Sequence, residues 1–172
     1  MSTTDGNIEY LMEKYGDDIL RMCYLYLKDY QLAEDAVQET FIKAMNGYES
    51  FMHQSSEKTW LVRIAINCCK NIMRTHWFKI IKDDVAEYQE KDYSSPIEKL
   101  IDSNSISGAV MKLDREDRKI ILLYYYQEIP VKDIAKILHI TVNTANQRLY
   151  RARKKLKELL KEAGYDEYAL SD

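Results

Sequence analysis

The sequence VKDIAKILHITVNTANQRLY, residues 131–150, has the pattern of two helices joined by a tight turn. Ile134 and Leu138 are spaced to fill the angle between the helices, and Ala135 leaves room for a crossing helix. The hydroxyl of Thr141 can accept a hydrogen bond from an amide of the following turn, which favours a helix start there. These residues therefore predict a helix-turn-helix.

The second helix of this pattern has two different faces. At about 100° per residue, one narrow arc is apolar: it contains Ala145, Leu149, Ala152 and Leu156. The opposite arc is polar and cationic: it contains Gln147, Tyr150, Arg151 and Lys154, flanked by Asn146 and Arg148. Such groups suit base edges and phosphates in the major groove. The alternative is an ordinary helical hairpin whose basic face is only solvated.

The composition of the whole chain favours helices. Only 5 Gly and 2 Pro occur among 172 residues, which leaves few of the turns that β-hairpins need. Apolar residues recur at spacings of three and four, as on helices. We therefore predict an all-α protein of two small helical domains joined by a flexible linker.

The pattern divides the chain into four segments: a domain at 1–82, a linker at 83–105, a domain at 106–163 and a tail at 164–172. The linker is acidic, contains a Ser-Ser-Pro break and lacks a sustained apolar face, apart from a short helix that could form at 97–101. The first predicted helix has about five turns and includes residues 8–23. Further helices are predicted at 31–46, 59–81, 107–113, 115–127, 131–138 and 142–163.

The net charge of −3 hides an uneven distribution. Residues 60–82 carry five basic and no acidic side chains, and residues 131–163 carry nine basic and three acidic ones. Acid-rich segments surround both blocks. This distribution predicts contact with nucleic acid at two separate places.

The first basic block has its polar residues on one side of the third predicted helix. Within about 100° of arc lie Arg63, Asn67, Lys70, Asn71 and Arg74. A surface helix normally mixes both signs of charge, so a stripe without acids indicates a track for phosphates and base edges.

Aromatic side chains precede and open this third helix: Tyr48, Phe51 and Trp60. Each ring could serve as a stacking platform for an unpaired base. For Phe51 and Trp60, packing between helices is an equally good interpretation.

The second predicted helix has Asp29 as its cap and a polar face formed by Asp35, Gln38 and Glu39. These three residues are spaced at i, i+3 and i+4. The opposite side is apolar: Ala33, Val37, Phe41 and Ala44. The polar face is either a docking surface or simply a solvated side of the helix.

Nothing in the sequence points to catalysis, a metal or a cofactor. The three histidines are isolated in sequence, and we expect Cys23 and the adjacent Cys68 and Cys69 to be buried, reduced thiols. No signal peptide is evident, and the longest apolar run, 120–126, is far shorter than the roughly 20 residues that cross a bilayer. We expect a cytoplasmic protein without membrane insertion.

Three motifs together resemble the extracytoplasmic-function (group 4) sigma factors of the sigma-70 family. They are DYQLAEDAVQETFIKA at 29–44, TWLVRIAIN at 59–67, and Ile134-Ala135 followed by RLYRAR at 148–153. Their order and spacing match the family over nearly the whole chain except the linker and tail.

The resemblance implies a transcription initiation factor, with core RNA polymerase, promoter DNA and an anti-sigma factor as partners. It implies that Asp35, Gln38, Glu39 and Ile42 dock on the clamp helices, while the flap provides a second polymerase contact. It further implies minus-ten recognition and melting by Tyr48, Phe51, Trp60, Arg63, Asn67, Lys70, Asn71 and Arg74. Minus-thirty-five recognition falls to Thr144, Asn146, Gln147, Arg148, Tyr150, Arg151 and Lys154.

The chain departs from the family pattern at Asn143-Thr144-Ala145-Asn146, where Gly-Thr-Val-Lys or Arg is common. This departure bears on the minus-thirty-five sequence that the chain reads. The alternative function is a regulator that binds operators through the same helix-turn-helix and uses its N-terminal domain for dimerisation or sensing.

Overall fold

A computed structural model describes residues 3–82 and 105–165 of the chain, with side chains over 6–77 and 105–165. These residues are helical and contain no β-strand, which confirms the predicted all-α class. The helices are α1 (Thr3–Leu27), α2 (Tyr30–Gly47), α3 (Glu57–Lys82), α4 (Ile106–Lys112), α5 (Arg115–Ile121), α6 (Val131–Leu138) and α7 (Val142–Glu162). They form two compact units, α1–α3 and α4–α7.

Two predicted segments lie largely outside the described residues. These are the linker at 83–105, with its short helix at 97–101, and the tail at 164–172. Ser105, which was assigned to the linker, instead caps α4: its hydroxyl accepts a hydrogen bond from the Gly108 amide at 3.0 Å.

In the first unit, α1 packs against both α2 and α3, and α2 packs against α3. Ala33, Ala36 and Ala44 are buried along α2, and these small side chains let the neighbouring helices approach closely. The carboxylate of Asp29 accepts a hydrogen bond from the Leu32 amide at 2.9 Å, which confirms the predicted cap of α2. The α2 helix ends at Gly47 and a 3₁₀ turn follows at Tyr48–Ser50.

The three cysteines lie in the core of this unit as free thiols, as predicted. A hydrogen bond with Cys23, together with burial, raises the pKa of Cys69 far above its usual range. Burial also raises the pKa of Cys68. Cys68 and Cys69 therefore stay protonated and behave as small apolar groups.

In the second unit, α7 is the central element and packs against α4, α5 and α6. Its buried residues include Ala145, Leu149 and Ala152, the arc predicted to face the core. Fully buried Ile134 and Leu123 come from α6 and from the segment after α5. Because the apolar arc of α7 is covered, the opposite arc faces solvent.

The turn between α6 and α7 has the geometry of a tight helix-turn-helix. His139 adopts a left-handed conformation with φ 54°, and the Ile140 amide donates to the Ala135 carbonyl at 3.0 Å. This pattern is a Schellman motif, which ends a helix abruptly. The Thr141 hydroxyl then accepts a hydrogen bond from the Thr144 amide at 3.1 Å, so Thr141 caps α7 as predicted.

Two helices differ from their predictions: α1, at Thr3–Leu27, is about two turns longer than expected, and the helix predicted near 115–127 is interrupted. A single helix was expected over 115–127, but α5 ends at Ile121 and a π-helical turn follows at Leu122–Tyr126. The Gln127 amide accordingly bonds to the Leu122 carbonyl, five residues earlier, at 2.9 Å. The π turn adds a residue to the helical path, and both Gln127 and Ile129 are buried beyond it.

Candidate nucleic-acid interface

The cationic stripe of α3 is on the accessible side of the first unit. Arg63, Asn71 and Arg74 are exposed, and Asn67 and Lys70 are half-buried. The other side of α3 packs into the core through Leu61, Ala65, Cys68 and Cys69. The stripe therefore offers cations and amides to an anionic partner, with no carboxylate on the helix from residue 60 to its end.

The aromatic residues beside the stripe pack on one another. The rings of Phe51 and Trp60 are stacked, with centroids 4.6 Å apart and planes 21° apart. Tyr48 meets the edge of Trp60 at 6.1 Å, and its hydroxyl donates to Glu57 at 3.4 Å. All three rings are half-buried. The Phe51 ring also lies 4.4 Å from the His53 ring, so the structure contains a preformed aromatic cluster at the start of α3 whose rings are partly accessible.

The electrostatic environment of Tyr48 keeps its hydroxyl protonated. Burial raises the pKa of Tyr48, and the nearby negative charge of Glu57 raises it further. The phenol is therefore a hydrogen-bond donor at neutral pH, either to Glu57 or to an acceptor that replaces it.

The polar face of α2 is exposed on the same unit. It contains Asp35, Gln38, Glu39 and Ile42, and Ile42 is 51% exposed. Glu39 pairs with Lys43 one turn later at 3.1 Å. An exposed aliphatic side chain bordered by carboxylates and an amide has the mixed character of a protein-docking surface.

The polar arc of α7 is exposed over most of its length. Asn146, Gln147, Arg151 and Lys154 are exposed, and Tyr150 is 72% exposed. No acidic residue occurs on α7 before Glu158. The arc presents amide, phenol and cationic groups at the helix N-terminal half, the part that usually reaches base edges in a helix-turn-helix.

Two of the residues predicted on this arc already have partners within the protein. Thr144 and Thr141 share a hydroxyl hydrogen bond at 2.8 Å. Arg148 forms an ion pair with Glu116 of α5, with 3.7 Å between the charged atoms. Thr144 and Arg148 are both half-buried. A DNA group would therefore have to compete for the guanidinium of Arg148.

A cluster of charges between α5 and α7 was not predicted from the sequence. Lys155 donates a hydrogen bond to Asp114 at 2.8 Å and contacts Asp117 as well. Asp114 also caps α5, since it accepts a hydrogen bond from the Asp117 amide at 3.0 Å. The hydrogen bond from Lys155 is the main reason why the pKa of Asp114 falls to about 2. Asp114 and Lys155 are 41 residues apart, so no local signal pairs them.

This cluster predicts a loss of stability in acid. The pKa of Asp114 is about 2 in the folded protein and 3.8 ordinarily, so its contribution is complete above pH 4 and disappears between about pH 4 and 2. We expect Asp114→Asn to lower the free energy of unfolding at pH 7 by about 1 kcal/mol, because an exposed ion pair and the negative charge at the N-terminus of α5 are lost. Thermal unfolding followed by circular dichroism should show a smaller acid-dependent decrease in Tm for the variant than for the wild type.

The control for this prediction is Asp133→Asn on α6. Asp133 contacts Lys136 at 3.6 Å, and Lys136 is 74% exposed. Asp133→Asn removes one carboxylate from the second unit but leaves the Asp114–Lys155 pair intact, so it controls for the loss of a single negative charge. An acid dependence of Asp114→Asn equal to that of the wild type would contradict the role of Asp114.

The described residues do not bring together three or more His, Cys, Asp or Glu side chains that could hold a metal ion. None of the helices in the described ranges is both long and apolar enough to cross a membrane.

Two helical domains, each with an exposed cationic face, are typical of a DNA-binding protein. Comparison with known families agrees with this class: residues 11–79 match the model for sigma-70 region 2, and residues 103–156 match that for sigma-70 region 4. The chain belongs to the sigma-70 family, among its extracytoplasmic-function members.

Relatives match over most of their length. The ECF RNA polymerase sigma factor SigM of Bacillus subtilis is 30% identical over 162 residues, which cover 93% of this chain and 99% of SigM. The RNA polymerase sigma-H factor of Pseudomonas aeruginosa is 32% identical over 169 residues, 89% of this chain and 88% of that protein. The sigma factor RpoE of Bartonella quintana, solved with the anti-sigma factor NepR, has a TM-score of 0.73 and 25% identity and covers 90% of this chain and 97% of its own.

Family membership decides between the two functions left open by the sequence. The protein is a transcription initiation factor that acts with RNA polymerase at promoters. The match of residues 11–79 to region 2 replaces the alternative of an N-terminal dimerisation or sensing domain.

Proposed function

We propose a division of labour between the two units. The first, within residues 1–82, docks on core polymerase and opens and reads the minus-ten element. The second, within 106–163, reads the minus-thirty-five element, and the segment 83–105 connects them. The observation that carries this proposal is the pair of cationic faces, one on α3 and one on α7, that are separated in the chain and belong to different units.

The α2 face docks on the clamp helices of the polymerase, and the flap contacts the second unit. Asp35 and Glu39 provide negative charge for a basic partner, and Ile42 provides exposed apolar surface. Charges of this kind steer the encounter and fix orientation, while the apolar contact contributes affinity. The α2 face thus combines charge, which gives specificity, with apolar surface, which gives affinity.

The stripe on α3 and the aromatic cluster act together on the minus-ten element. Arg63, Asn67, Lys70, Asn71 and Arg74 hold the backbone and base edges, and the outer surfaces of Tyr48, Phe51 and Trp60 receive unstacked bases. Extruding a base costs a few kcal/mol, which capture by an aromatic surface offsets by about 1–3 kcal/mol per base. Melting on this basis is equilibrium binding, and the protein itself catalyses no reaction.

The exposed arc of α7 reads the minus-thirty-five element in the major groove. The residues in this role are Thr144, Asn146, Gln147, Arg148, Tyr150, Arg151 and Lys154. Each unit binds DNA modestly, and the polymerase holds the two at a fixed separation, so binding by one raises the effective concentration of the other.

The proposed function also indicates how the protein is regulated and where in the cell it acts. Because the related RpoE was solved with an anti-sigma factor, we propose that an inhibitor of that class also binds this chain. The chain acts in the cytoplasm, where the polymerase and the chromosome are.

The test is reconstituted transcription. Tagged full-length chain should co-purify with core RNA polymerase, and the assembled enzyme should give transcripts with a defined 5′ end on templates where core alone gives none. Permanganate should detect unpaired thymines upstream of that start. Failure to bind core, or DNA binding without strand opening, would reject the proposal.

A further inference from the structure

The two flanks of the exposed arc of α7 are electrostatically different. On the flank that faces α5, the carboxylates of Asp114 and Asp117 hold Lys155, and Glu116 pairs with Arg148. A DNA phosphate that approached this side would compete with these carboxylates and be repelled by them. Lys155 is thus held against α5, and Arg148 has to exchange Glu116 for any DNA group that it contacts.

The opposite flank carries a cation without such competition. Arg153 is exposed, and among the described residues no carboxylate forms an ion pair with it. Its guanidinium lies 5.9 Å from the centre of the Tyr125 ring, and Tyr125 is 45% exposed. A cation–π contact orients the guanidinium but leaves its charge and its hydrogen-bond donors available.

Tyr125 owes this position to a feature that helical periodicity does not predict. It lies in the π-helical turn at Leu122–Tyr126, and its ring packs edge-on against Tyr124, with centroids 4.9 Å apart. The turn therefore supplies an aromatic surface beside α7.

We propose that Arg153 is an additional phosphate-binding residue and that Tyr125 positions it, so that DNA sits off-centre on α7, toward the Arg153 flank and away from α5. Tyr150 and Asn146 lie on the same side of the arc at helical spacing, which makes the contact surface continuous. This inference rests on the proposed role of α7 in DNA binding.

Two charge-neutralising substitutions on α7, Arg153→Gln and Lys155→Gln, form a matched test. The full-length chain is assembled with core polymerase, and the probe is a promoter duplex selected from a random-sequence pool on the wild-type enzyme. We expect Arg153→Gln to weaken binding about five- to tenfold and to reduce the salt slope by about 1, as for one lost phosphate contact. Lys155→Gln should stay within about twofold of wild type but lower Tm, since Asp114 and Asp117 lose their cation.

Conservative variants separate positioning from folding. Arg153→Lys keeps the charge and should retain most of the binding. Tyr125→Ala should weaken binding less than Arg153→Gln does, and Tyr125→Phe, which keeps the ring face, should restore it. Circular dichroism checks that each variant is folded.

Two results would overturn the inference: wild-type affinity and salt slope for Arg153→Gln, or a loss for Lys155→Gln as large as that for Arg153→Gln. Two further measurements distinguish failure of this inference from failure of the proposed function. If Gln147→Ala weakens binding but Arg153→Gln binds normally, only the flank assignment fails. If the wild-type enzyme opens nothing, the proposed function fails first.

Discussion

Reversing the charge at Glu39 should weaken binding to core RNA polymerase by at least about tenfold, because a like-charge contact at an interface costs several kcal/mol. Glu39 is exposed at the centre of the proposed docking face, between Asp35 and Ile42. Within the described residues, Glu39 forms an exposed ion pair with Lys43 at 3.1 Å, so the loss of this pair removes only about 0.5 kcal/mol of helix stability. Glu39→Lys should therefore remain folded, and its affinity for core polymerase can be measured by fluorescence anisotropy.

The matched control is Glu13→Lys. Glu13 is exposed on α1 of the same unit and undergoes the same change of charge. Its variant should bind core polymerase like the wild type. Equal affinities of wild type and folded Glu39→Lys would remove α2 from the polymerase interface.

The helix-turn-helix was predictable because all its signals are local. The spacing of Ile134, Leu138 and Leu149 marks the buried sides of α6 and α7, and Thr141 marks the start of α7. Asp29 marked the start of α2 in the same way. Periodicity and caps depend on residues within one or two turns, so a sequence displays them directly.

Contacts between distant segments were not predictable. The pairing of Lys155 with Asp114 depends on how α5 packs against α7, and either residue alone looks like an ordinary surface charge. The π turn at Leu122–Tyr126 was missed because a run of apolar residues has no period that distinguishes a wide turn from an α-helix. Without these two features, the unequal flanks of α7 cannot be read from the sequence.

The aromatic cluster shows a third limit. The sequence allowed either base stacking or helix packing for Phe51 and Trp60, and the structure stacks the two rings on each other. Packing of the rings and capture of a base are compatible, since the rings are only half-buried. The composition of a loop indicates which groups are available, whereas their arrangement depends on the helices that flank them.

Substitutions on the two cationic faces should affect different steps of initiation. Gln147 and Arg151 are exposed on the arc of α7. Replacing either with Ala should weaken binding of the assembled enzyme to upstream duplex DNA by about 1–3 kcal/mol if the side chain makes a good base contact. The fraction of bound promoter that opens should change little, because these side chains do not lie near the aromatic cluster in the chain.

The substitutions Lys70→Ala and Asn71→Ala on α3 should reduce promoter opening but spare binding to upstream duplex DNA. Upstream-anchored binding should persist, because α7 is intact, while the permanganate-reactive thymines of the minus-ten region should decrease. Lys112→Ala, which removes an exposed cation at the end of α4, is the control and should affect neither step. An operator-binding protein has no opening step, so it would show no such division. If both pairs of substitutions weakened duplex binding equally while opening by the bound enzyme stayed unchanged, α3 would be a second duplex-binding surface and the melting role would have to be assigned elsewhere.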